Sequence, residues 1–185
     1  MNQQTIQALT TAATPFLRVD GIKRVTWCRN VQSGPRFGPW QYEAEFSELD
    51  GRTWQREGEV IYFVTDRQQQ LRLVGESGRR LKDRWRMSPM HDVATRTPLG
   101  RKALFHSTAW GAIERGIAEE VPPFTVSALF SEDLARLLAQ HGAMESLPRS
   151  DEHLCRRTES AILAAVGATG RLWNKKGVVG TRAGI

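Results

Sequence analysis

Apolar residues fall along the chain in short blocks of two different periods, and that pattern predicts an alternation of helices and strands. Residues 3 to 13 carry a short helical spacing that stops before Pro15. Segments 20–30 and 41–46 read as extended. In the second, Tyr42, Ala44 and Phe46 alternate with Gln41, Glu43 and Glu45, the period of a strand with two unlike faces. Between them Gly34-Pro35-Arg36-Phe37-Gly38-Pro39 reads as a rigid loop. Val60-Ile61-Tyr62-Phe63-Val64-Thr65 is an apolar, β-branched and aromatic run, and Leu71-Arg72-Leu73-Val74 is a second short strand stopped by Gly75. The two predict a hairpin with its loop at Arg67 to Gln70. Ser77 or Gly78 is expected to open a helix reaching about Met87, with Leu81 and Trp85 four apart on one face. Residues 89–100 read as loop, followed by a strand at 103–106 and a helix at 109–119. After Pro122-Pro123, Phe124 to Phe130 reads as a strand. Ser131 is then expected to cap a helix to about Gln140, and Ser150 a last helix to about Ala165. Trp27, Trp40 and Trp54 are expected in the core. The class is therefore α/β (α+β): a small mixed or antiparallel sheet flanked by helices.

Length and composition narrow the classes. At 185 residues the expectation is one domain with an extension, large enough to fold without disulfides or a structural metal. No apolar run approaches a membrane span, and Met1 to Arg18 lacks the basic start and apolar core of a signal peptide, so a cytoplasmic protein is expected, with no membrane partner. Cys28 and Cys155 are the only cysteines and form no CxxC pair, which argues against a zinc knuckle or a disulfide framework. Charge changes the picture more. The chain carries +6 overall, and Arg72 to Lys102 alone holds nine basic residues against Glu76, Asp83 and Asp92, the same excess of +6. A basic stretch on an otherwise balanced body points to a polyanion or to a solvated helix face.

One residue of the last helix breaks its own pattern. Cys155, Ile162 and Val166 form an apolar stripe at i, i+7 and i+11, and the residue completing it at i+4 is Glu159. A carboxylate on such a stripe must be paired with an arginine, protonated or bound to a cation, because an unpaired buried charge costs several kcal/mol.

In order, these features resemble the GIY-YIG nuclease superfamily. Val60-Ile61-Tyr62 stands for the first triplet and Leu73-Val74-Gly75 for the second. Gly75-Glu76-Ser77 followed by Leu81-Lys82-Asp83-Arg84-Trp85 resembles the arginine-bearing helix, and Leu172-Trp173-Asn174 the C-terminal asparagine. The resemblance implies an N-terminal extension over 1–57, a nuclease domain over 58–177 with an insertion at about 88–123, and a tail over 178–185. It implies a divalent-metal-dependent DNA endonuclease using Mg²⁺ or Mn²⁺. Tyr62 would act on the attacking water as a general base, Arg84 would hold the scissile phosphate, Glu159 would bind the metal and Asn174 would fix local geometry. Arg72, Arg79, Arg80, Lys82, Arg86, Lys175 and Lys176 are the candidate DNA contacts, with Ser77 and His91 as secondary site candidates.

The chain departs from the family pattern in three places. Val60 replaces the first glycine, Ser88 replaces a histidine one turn after the arginine, and Leu73 replaces the second tyrosine. Leucine cannot hydrogen-bond to water or phosphate. A rival reading follows from that loss: a non-catalytic nucleic-acid-binding or regulatory module on the same scaffold. A third is a basic protein-interaction domain.

Overall fold

The computed structural model describes residues 1–27, 40–85, 87–91, 98–105, 113, 122–167 and 171–174. Helix α1 (Gln3–Ala12) begins at Asn2, whose side chain accepts from the Thr5 amide at 2.8 Å. It leads into β1 (Thr14–Trp27), β2 (Trp40–Glu48) and the short helix α2 (Gly51–Gln55), which Asp50 caps. Then come β3 (Val60–Thr65), β4 (Leu71–Ser77), the single turn α3 (Leu81–Arg84), β5 (Met87–His91), β6 (Pro98–Phe105) and β7 (Phe124–Phe130). Helices α4 (Ser131–Gln140) and α5 (Leu154–Val166) follow, before the short segment 171–174. The strands form one seven-stranded sheet in the order β4-β3-β7-β1-β2-β6-β5. Every pairing in it is antiparallel. The expected α+β class holds, without a mixed sheet.

β3 lies between β4 and β7 and is buried on both sides, which is why it reads as an unbroken apolar run rather than an alternation. Val60, Tyr62 and Val64 face a cluster containing Phe16, Trp54, Leu81, Trp85, Phe124 and Trp173. Ile61 and Phe63 face the opposite cluster with Leu9, Val74, Leu134, Leu138, Cys155 and Ile162. Each such large side chain, fully buried, contributes about 1.5–3 kcal/mol.

Several boundaries differ from the sequence expectation, each for a local reason. The helix expected from Ser77 shrinks to α3, because the Ser77 hydroxyl accepts from the Arg79 amide (3.2 Å) and donates to the Arg79 carbonyl (3.1 Å). That turn competes with helix for the same backbone groups. Residues expected as loop at 89–100 partly form strand, since β5 and β6 pair as a hairpin at the far edge of the sheet. Ser131 is the first helical residue of α4 rather than its cap. His153, not Ser150, caps α5: its side chain accepts from the Arg156 amide. The segment 1–57, expected as an extension, is built into the sheet, with β1 between β7 and β2 and Phe16 and Leu17 in the core. The loop at 34–39 lies outside the described residues, as does the helix at 109–119 apart from buried Ile113. Trp54 is buried as expected. Among the described residues no helix is long and apolar enough to cross a membrane.

The β3–β4 hairpin is set by Asp66. One carboxylate oxygen accepts from the amides of Gln68 (2.8 Å) and Gln70 (2.9 Å), while Gln69 takes the left-handed conformation at φ 59°. The other oxygen accepts from Arg72 Nε at 2.8 Å. Asp66 is buried at 2% exposure and Arg72 is largely covered at 13%. Arg72, expected on a DNA-facing surface, is instead committed to the hairpin.

Candidate active site

The register of β3 on β4 places Tyr62 directly opposite Gly75. A Cβ built on Gly75 would lie 2.7 Å from Tyr62 Cε2 and closer still to Cζ and Oη. The phenol ring therefore lies across the backbone of β4, where only glycine leaves room. Trp85 packs edge-on against the same ring at 5.5 Å, and Leu81 and Trp85 are both fully buried, which anchors α3. So anchored, Arg84 donates from Nε to the Tyr62 hydroxyl at 3.0 Å. Its terminal nitrogens find no hydrogen-bond partner among the described residues. Gly75→Ala should accordingly displace the ring and destabilise the fold by about 1–3 kcal/mol, the usual scale of overpacking. Thermal melts check this; an unchanged melting temperature would mean that the ring has room to move.

Glu159 approaches this pair from α5, half-buried between Cys155 and Ile162 on the helix. Burial first, and then the negative charge of Glu76, push its carboxyl up to about 7, against the opposing pull of Arg156 and Arg84. Among the described residues it has no hydrogen bond and no ion pair. Among the described residues, the arginine salt bridge that could have explained its place on an apolar stripe is not made. The Tyr62 phenol is likewise raised, chiefly by burial, which outweighs the neighbouring Arg84 charge and is reinforced by Glu159 and Glu76. A phenol so raised stays protonated at neutral pH. The Tyr62 hydroxyl accepts from Arg84 and has its own proton to donate.

The remaining candidates separate into two groups. Asn174 accepts from the Val74 amide at 3.2 Å and donates to the Val74 carbonyl at 2.7 Å, and the Trp173 amide donates to the Arg72 carbonyl at 2.7 Å. Trp173 packs edge-on to Phe124 at 4.9 Å. The segment 171–174 thus satisfies the outward backbone groups of β4, so Asn174 shapes the strand beneath the site. Arg79 and Lys82 are exposed beside it, and Arg80 is exposed but ion-paired with Glu57. The Ser77 hydroxyl is used by its own turn. His91 ends β5, while Arg86, Lys175 and Lys176 lie outside the described residues. Leu73 pairs with Val64 and is buried, two cross-strand pairs along from Tyr62 and so on the same face.

Three residues here were missed by sequence reasoning: Glu76, His153 and Arg156. Glu76 accepts from Arg156 at 3.3 Å, and its other oxygen lies 3.6 Å from His153 Nε2. The legible signal was a carboxylate on β4 immediately after the glycine. No group of three or more His, Cys, Asp or Glu gathers as a metal cage among the described residues. A lone half-buried carboxylate without a protein partner nevertheless fits a divalent ion that keeps most of its water, as Mg²⁺ commonly does. Comparison of the chain with protein-family models, with curated proteins and with solved structures gave no match.

Proposed function

We propose that this chain is a divalent-metal-dependent DNA endonuclease with a GIY-YIG-like site formed by Tyr62, Arg84 and Glu159. The observation that carries the reading is the Arg84–Tyr62 hydrogen bond at 3.0 Å, set within electrostatic reach of a carboxylate that has no partner of its own among the described residues. Arg84 holds a phosphate oxygen through its terminal nitrogens, which are not otherwise engaged among the described residues, and neutralises charge that grows in the transition state. Tyr62, fixed by accepting from Arg84, donates its proton in a hydrogen bond to a phosphate oxygen. Glu159 would hold the ion, and a bound Mg²⁺ or Mn²⁺ would supply Lewis-acid polarisation and a more acidic water. The charge of Arg84 also offsets part of the negative charge of Glu76 and Glu159, which would otherwise repel DNA.

Incubation of supercoiled plasmid with the protein, in Mg²⁺ and in chelator, tests the reading. Metal-dependent nicking is expected. Binding without cleavage in any divalent ion would favour a non-catalytic DNA-binding module. Two observations speak for that second reading: Tyr62 is 2% exposed, and Leu73 supplies no second phenol.

For DNA affinity, Arg79 is the cleaner probe, because Arg80 already has Glu57 as a partner. Arg79→Glu should weaken binding to unrelated sequences alike and flatten the plot of log affinity against log salt, by about one unit of slope per lost phosphate contact. Slopes that superimpose on wild type would place Arg79 off the DNA.

A further inference from the structure

Arg156 has three carboxylates within its compass. Glu152 is one turn before it on the chain, Glu159 is three residues after it on α5, and Glu76 comes from β4. Residues three apart on a helix are surface neighbours, so an Arg156–Glu159 pair would be the ordinary outcome. It is not the one adopted. Arg156 Nε pairs with Glu152 at 2.9 Å, and its terminal nitrogen pairs with Glu76 at 3.3 Å. Glu76 is held in turn at the start of α5: its other oxygen faces Nε2 of His153, whose Nδ1 accepts from the Arg156 amide and lies 3.7 Å from Glu59. Nε and one terminal nitrogen of the guanidinium are therefore taken by other acids, and Glu159 is left with no ion pair among the described residues.

We propose that Glu76 is a positioning residue that, with Glu152, holds Arg156 away from Glu159 and so keeps that carboxylate open for a divalent cation. The inference rests on the metal-dependent reading above. Loss of the Glu76 charge frees one arm of Arg156 at a distance from which Glu159 is the nearest remaining acid on the helix. The arginine then occupies the carboxylate in place of the ion.

A direct charge effect would act differently. If Glu76 merely added negative potential to the ion's surroundings, its removal would weaken binding by the same factor whether or not Arg156 were present. A double-mutant cycle separates the two cases. Mn²⁺ binding would be measured by calorimetry, without DNA, for wild type, Glu76→Gln, Arg156→Gln and the double variant, with thermal melts alongside. Glu76→Gln should weaken Mn²⁺ binding about tenfold or more when Arg156 is present, and no more than about twofold when residue 156 is glutamine. Equal factors in the two backgrounds, or no effect in either, would overturn the clamp. If Glu76→Gln does not fold, Glu152→Gln releases the other arm of Arg156 without touching the sheet and should weaken binding in the same direction, again only when Arg156 is present. Plasmid nicking by the same preparations keeps the two ideas apart. Coupled Mn²⁺ binding without nicking would end the nuclease reading and leave the clamp, whereas nicking with uncoupled binding would do the reverse. A wild type that binds no Mn²⁺ at all would end both.

Discussion

Glu159→Gln should abolish metal-dependent nicking while leaving DNA affinity within about twofold of wild type. An ion's electrostatic contribution to the transition state is several kcal/mol, and about 1.4 kcal/mol is a factor of ten, so the fall should be on the order of 10³ or more. The same substitution has a signature in stability that needs no substrate. Its carboxyl sits at about 7 in the fold against an ordinary 4.5, so the fold disfavours the charged form. Wild type therefore loses stability as pH rises from the ordinary value through about 7, and the amide, which does not titrate, is spared. Glu159→Gln should melt near wild type in acid and above wild type in mild alkali. Bound cation needs the ionised carboxylate, so Mn²⁺ affinity should rise with pH up to about 7 and then level off. An amide variant that nicks at the wild-type rate across a metal titration would mean that the ion sits elsewhere. A variant less stable than wild type in mild alkali would mean that Glu159 has a partner in solution that the fold as described does not give it.

Much of this site was legible in the sequence, and the reason lies in periodicity. β3 was visible as an apolar run, and the helical stripe of α5 exposed Glu159 as the one residue that did not belong. The hairpin loop followed from the polar tetrapeptide after Asp66. Other features were not legible, because they depend on which residues face each other across strands and helices. The pairing of Tyr62 with Gly75 assigns the glycine a steric role that no local pattern states. Arg72 lies in the most basic stretch of the chain, yet six residues back along the hairpin Asp66 claims it. A charge count treats the two as independent. The Ser77 turn shortened a helix whose apolar spacing was sound, since a side-chain hydrogen bond to the backbone outcompeted the propensity. Leu73 illustrates the limit most directly. The register puts it opposite Val64, buried in the same cluster as Tyr62, so a tyrosine there would have to displace core side chains. Leu73→Tyr is therefore expected to gain no activity.

Tyr62→Phe should lower the single-turnover cleavage rate by on the order of 10²–10⁴, the usual scale for a positioned proton donor or acceptor. The substitution removes one oxygen and leaves the ring that packs on Trp85 and lies over Gly75, so the fold should persist. Stability should drop by about 1 kcal/mol, the net worth of an ordinary hydrogen bond, because Arg84 Nε loses its acceptor but is close enough to solvent to be rehydrated. DNA affinity should hardly change, since Arg84 keeps its charge and its terminal nitrogens. The pH dependence distinguishes the neutral hydroxyl from a phenolate base. Burial raises the Tyr62 phenol above its ordinary value of 10.0, so it is protonated throughout the neutral range. A hydroxyl that acts while protonated contributes the same factor at every pH in that range, and the ratio of wild-type to Tyr62→Phe rates should stay constant from about pH 6 to about pH 9. A phenolate base would instead make the ratio climb about tenfold per pH unit, because the active fraction of wild type would grow with hydroxide. A climbing ratio would return Tyr62 to the role of base. A ratio of one at all pH values, in a wild type that cleaves, would show that its hydroxyl serves only to hold Arg84.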